Sequence, residues 1–137
     1  MASVANPQNY ESSPSNAVRF GVPFISYGRI FAGALSWASP TASSRVFLLG
    51  RDPADGRTGL LARLFGIRDL ALGLGLQHPS ADVRKLVLQA GVAIDTADVA
   101  ATLLAVRSGA PKSAVLGAAG GAALFIGIGL TALASDR

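Results

Sequence analysis

The chain has 137 residues, enough for one domain; 50 % are hydrophobic and only 15 % are charged, against about 25 % charged in an ordinary soluble domain. The absence of cysteine excludes disulfides, thiolate metal sites and a cysteine nucleophile, and the single histidine, His78, excludes a histidine-rich metal site. The formal charge of +4 comes from basic residues scattered singly along the chain. No Lys/Arg cluster is interleaved with aromatics, so no nucleic-acid partner is expected.

Residues 1–20 are polar, rich in Ser, Asn and Pro, and lack the apolar run of a cleavable signal peptide. They predict a disordered, mobile arm ahead of a membrane domain at 21–137. Four apolar segments follow. The first, 21–38, has Arg29 near its middle and leads to a loop, 39–57, that carries Pro40 and the charged run GRDPADGR. The second, 58–76, holds Arg63, Arg68 and Asp69. After the turn 77–85, where Ser80 is placed to cap a helix, comes the third, 86–106, whose only charges are Asp95 and Asp98. The fourth, 113–135, has 23 residues and no charge, the strongest membrane signal in the chain. A soluble four-helix bundle needs a wide charged face on each helix, and none of these segments has one. The expected fold is all-α, a bundle of four transmembrane helices. The basic residues flanking the spans, four on one side and five on the other, leave its orientation open.

In helical register, Arg29, Arg68–Asp69 and Asp95/Asp98 fall near the middle of three different segments. A central Arg or Asp costs about 2.5–3.5 kcal/mol on insertion scales, so five facing lipid would cost on the order of 15 kcal/mol. Facing one another they largely compensate. The helical wheel supports this. Gly91, Asp95, Asp98 and Thr102 share one stripe, Ser26, Arg29, Gly33 and Ser36 a second, and Gly59, Ala62, Gly66, Asp69 and Gly73 a third. Small residues let helices approach closely in lipid, so these charges are expected to point inward. Arg68 lies about 140° off its helix's stripe, so it is expected to face another helical seam, a second subunit or the headgroups. On the fourth segment the stripe is Gly117, Gly120, Gly121, Gly127 and Thr131, which offers a glycine-rich face for a homo-oligomer.

Carboxylates held together can separate into one acid and one base, and an arginine between them orients both. Such a pocket suits general acid–base chemistry on a lipophilic molecule entering from the bilayer: cyclisation, epoxide opening or isomerisation, with no cofactor. Asp95 and Asp98 are the expected acid and base, Arg29 the orienting cation, Asp69 a supporting carboxylate, and Arg68 a ligand for a substrate oxygen. No metal is required; Mg²⁺ on these aspartates is a weaker reading that rests on the spacing of DTAD alone. The competing reading is a pure register device, in a membrane scaffold or accessory subunit, or a small carrier.

The stretches RLFGIRDLALGLGL (Arg63–Leu76) and GVAIDTADVAATLLA (Gly91–Ala105) resemble a family of small four-helix integral membrane proteins of fungi and actinobacteria, similar in plan to the DoxX-like membrane proteins. The resemblance runs from about Val22 to Leu133. Its most specific matches are Arg63, Gly66, Arg68, Asp69, Gly73, Asp95 and Asp98. It implies a multi-pass membrane protein of no assigned organelle, the endoplasmic reticulum being the expectation for a fungal member. Some fungal relatives sit among natural-product biosynthesis genes, which implies tailoring of a secondary metabolite.

Overall fold

The computed structural model describes residues 15–47 and 56–135. Most of the predicted arm (1–14) and most of the GRDPADGR run lie outside the described residues. Every regular element among those described is helical. A π-helical turn, Ala17–Gly21, runs directly into α1 (Val22–Ala38); α2 (Pro40–Val46), α3 (Gly56–Gly75) and α4 (Ala81–Arg107) follow. A second π-helical turn, Val115–Ala119, opens α5 (Gly120–Ser135).

The four apolar segments are helical, and the helices differ from the sequence reading in three places. Helical structure begins at Ala17, inside what reads as arm, because Val18 packs beside the apolar cluster that also takes Val22 and Ile128. The expected loop contains α2, started by Ser39, whose side chain accepts from the Ala42 backbone N–H at 3.3 Å, with Pro40 at the first helical position. The third helix starts at Ala81, ahead of the apolar run, where Ser80 accepts from the Val83 N–H at 3.4 Å. Its other end closes in a Schellman turn: Ala110 N–H donates to Ala105, Gly109 N–H donates to Val106, and Gly109 takes φ +101°.

The four long helices run up and down as two pairs, α1 with α3 and α4 with α5. The first pair packs backbone to backbone. A Cβ at Gly33 would stand 2.6 Å from the Gly66 carbonyl oxygen, and one at Gly73 would stand 2.8 Å from that of Ser26. Ser26 Oγ donates to the Gly73 carbonyl at 2.8 Å. One end of the bundle is sealed by Ile25 of α1, Leu76 just past the end of α3, Leu88 of α4 and Ala132 of α5.

The distribution of residue types is inverted relative to a water-soluble domain. Ser26, Arg29, Ser36, Ser43, Asp69 and Asp95 are buried, while Phe24, Phe31, Leu61, Leu64, Leu104, Leu116 and Leu130 are exposed. Two helices, Ala81–Arg107 and Val115–Ser135, are long and apolar enough to cross a membrane, and most of each apolar stretch is uncovered in the single chain.

Candidate active site between the helix pairs

At mid-height the two helix pairs meet through charge. Arg29 of α1, only 2 % exposed, donates from Nη1 to Asp69 Oδ1 of α3 at 2.9 Å and from Nη2 to Asp95 Oδ2 of α4 at 2.5 Å. Arg68 of α3 takes Asp98 of α4 in a fork, Nη1 to Oδ1 at 3.0 Å and Nη2 to Oδ2 at 2.7 Å, and stands 3.6 Å from Asp69 Oδ1. The result is one chain of charge, Asp95–Arg29–Asp69–Arg68–Asp98. It holds three anions and two cations.

Local sequence explains how each member arrives. Gly91, one turn before Asp95, clears room for the guanidinium: a Cβ there would stand 3.1 Å from Arg29 Nη2. Gly33 and Gly66 draw α1 and α3 together so that Asp69 reaches Arg29. The arginine faces are covered by rings, Phe125 at 5.1 Å from Arg29 Cζ and Phe65 at 4.3 Å from Arg68 Cζ, in cation–π geometry. Asp69 and Asp95 are 4 % and 3 % exposed, whereas Arg68 and Asp98 form the half-buried end of the chain.

All five charged residues line a cavity of about 480 Å³ between the pairs. Its remaining wall is mostly apolar, with Phe31, Ala32, Leu61, Phe65, Ala122 and Phe125. A volume of this size falls in the range of small-molecule sites, roughly 300–1,000 Å³.

The structure brings together Asp95, Asp98, Arg29, Asp69 and Arg68, the five residues singled out in the sequence, and alters their relations in two ways. Arg29 does not sit between Asp95 and Asp98; it joins Asp95 to Asp69, and Asp98 goes to Arg68. The reason is height: Asp98 is one turn further along α4, level with Arg68. Arg68, off its helix's own stripe, faces the α3–α4 seam, the first of the surroundings expected for it. It lines the same cavity, because α3 lies between two neighbours and turns one face to α1 and another to α4. Among the described residues, Arg68 Nε is buried without a hydrogen-bond partner.

The small-residue stripe on the fourth segment mostly lies outside the bundle of the single chain. The residues that α5 and its π-helical turn bury are Ala119, Ala122, Gly129 and Ala132, while Gly120, Gly121, Gly127 and Thr131 are exposed. The π-helical turn, with its wider i→i+5 spacing, shifts Gly117 off the 100° wheel. Gly117 instead lies against the Phe47 backbone, which a Cβ there would overlap.

Sequence reasoning passed over the buried hydroxyls of Ser43 and Ser44, which also line the cavity. They sit on α2, in a stretch that reads as loop; the Ser39–Pro40 helix start was the available signal. Among the described residues no group of three or more His, Asp or Glu side chains is arranged to hold a metal ion.

No family model, no curated protein and no solved structure matches the chain.

Proposed function

We propose that this is a four-span membrane protein whose central cavity binds a lipophilic small molecule and carries out non-redox acid–base chemistry on it: cyclisation, epoxide opening or isomerisation. The observation that carries the reading is the cavity itself. Charges that served only to fix helix register would need no void beside them, yet all five line one of about 480 Å³. The inverted distribution of polar and apolar residues supports the bilayer as surroundings, because exposed leucines and phenylalanines on all four long helices cost nothing in lipid. With an apolar wall, substrate enters from the hydrocarbon phase and water is largely excluded from the charges.

In this reading Asp95 is the group that exchanges a proton with substrate. It is buried, lines the cavity and is engaged by Arg29 through Oδ2. Asp98 has both oxygens taken by the Arg68 fork, so it serves as the second, weaker acid–base group. Arg29 holds Asp95 in place, Asp69 fixes both arginines, and Arg68, which lines the cavity, is the cation nearest a substrate oxygen. The resemblance to fungal and actinobacterial membrane proteins leans towards a natural-product substrate.

Isomerisation and cyclisation keep the molecular formula, which gives a sharp test. Host cells carrying Asp95→Asn should place the protein in the membrane fraction at normal yield. They should lose product about 100-fold and accumulate a precursor of identical mass but different retention on liquid chromatography. Asp98→Asn should retain more product than Asp95→Asn. Wild-type product levels in both variants would sink the catalytic assignment. Recovery of the protein in the supernatant after detergent-free lysis and high-speed centrifugation would sink the membrane one.

A scaffold or accessory subunit is the second reading, favoured by the way the charge chain ties α1, α3 and α4 together. It predicts instead that Asp95→Asn lowers yield or changes the oligomer with no precursor of equal mass.

A further inference from the structure

The cavity has a second polar end. Ser36 of α1 and Ser43 and Ser44 of α2 line it, with exposures of 0 %, 4 % and 8 %. Ser36 Oγ and Ser43 Oγ stand 2.7 Å apart across the α1–α2 corner. This is not how most helical hydroxyls behave in this chain. Thr96, Thr102, Thr131 and Ser135 donate to the carbonyl four residues back in their own helix, so nothing further is asked of their surroundings. Ser36 and Ser43 turn to each other instead, at the wall of the cavity and apart from its charged end. A hydroxyl pair shares one proton internally and keeps a second donor and several lone pairs for other partners. Burying such capacity is costly unless something meets it.

Ser36 lies seven residues beyond Arg29 on one face of α1, a rise of about 10 Å. Between the two polar ends the wall is apolar, with Ala32, Leu61, Phe65 and Phe125. Building on the reading that the cavity takes a lipophilic substrate, we propose that Ser36 and Ser43, with Ser44 beside them, form an oxygen-recognition subsite. The substrate class is then an elongated lipophile with two oxygen functions about 10 Å apart, one hydrogen-bonded at the serine corner and the other presented to the Asp95–Arg29 end. The serines fix which end of the molecule reaches the carboxylate and are positioning residues for that orientation.

Rigid steroids measure this directly. Androsterone carries an oxygen at each end of a fused-ring skeleton, androstanol carries one only, and androstane carries none. Binding of the three radiolabelled probes to the full chain in nanodiscs, with empty nanodiscs subtracted, should be saturable. Androsterone should bind about 5- to 10-fold more tightly than androstanol, the effect of one added hydrogen bond. The double variant Ser36→Ala with Ser43→Ala should bind the two equally, and Asp69→Asn should leave the preference at the serine end intact. Because both probes are compared on the same variant, a general loosening of the fold lowers both and leaves their ratio unchanged. Saturable binding indifferent to the second oxygen, or a preference that survives in the double serine variant, overturns the subsite and leaves the cavity reading standing. No saturable binding of any probe overturns both.

Discussion

The two helix pairs hold together by different means. Between α1 and α3 the contact is backbone on backbone: Gly33 against Gly66, Gly73 against Ser26, with a serine-to-carbonyl hydrogen bond beside it. Between α4 and α5 it is side chain into side chain, with Gly129 receiving Val92 and Leu88 packing near Ala132. The first pair carries both arginines and one aspartate of the charge chain; the second supplies the other two aspartates and the longest apolar surfaces. The first pair is thus a rigid platform set by glycine, and the second docks on it through charge around a cavity. Precision lies where backbones touch, and adaptability where the void is.

That contrast can be broken most severely at its joint. Arg29→Met leaves Asp69 and Asp95 buried without their shared cation, and removing one partner of a buried ion pair costs about 3–5 kcal/mol. The variant should give little folded protein by size-exclusion chromatography in mild detergent. Adding Asp69→Leu and Asp95→Leu should restore folded protein, since apolar replacement of a buried ionic group is often neutral or stabilising. A normal yield from Arg29→Met alone would show that charge is not the joint.

The platform comes next. At Gly66 an added Cβ meets the Gly33 carbonyl oxygen at 2.7 Å and the Trp37 nitrogen at 2.9 Å, both backbone atoms that cannot rotate away. Gly66→Ala should cost about 1–3 kcal/mol in a reversible unfolding titration. Any shift of α3 should also pull Asp69 from Arg29. A stability equal to wild type would mean the pair is softer than its geometry.

The smallest effect is expected at the outer face of α5. A Cβ at Gly127 meets nothing within 4 Å, so in a monomer Gly127→Ala should be neutral or stabilise by up to about 1 kcal/mol. A homo-oligomer packed through this glycine-rich face would instead weaken, visible as dissociation at higher concentration in analytical ultracentrifugation. The sign of the change separates the two.

What could be read from the sequence follows from contrast. Apolar runs broken by charge or by turn residues located all four long helices. The mid-segment charges located the level at which they meet, because a charge among twenty apolar residues has few permissible surroundings. Where contrast is weak the wheel fails. The fourth segment is Ala and Gly nearly all round, so small residues mark both faces and the wheel alone does not say which one the bundle buries. Arg68 could be read only as far as a choice of surroundings, because a wheel with one inward stripe does not say which neighbour a second face meets; the structure gives the α4 seam. Ser43 and Ser44 were hidden because seven residues of PTASSRV show no period of their own.

In the proposed four-span setting, the single guanidinium of Arg29 would also order events during synthesis. Asp69 follows it by 40 residues and Asp95 by 66. When α3 emerges, α1 already waits with a cation that Asp69 can neutralise, so the first hairpin can settle in a bilayer with most of its charge answered. Helix α4 comes later with two aspartates and no cation near its centre. Alone it is a poor passenger for the insertion machinery; beside the finished hairpin, where Arg29 has a second amine free and Arg68 awaits its fork, it is a good one. On the four-span reading biogenesis is expected to be sequential, with the newborn platform acting as the receptor for the helix that completes it.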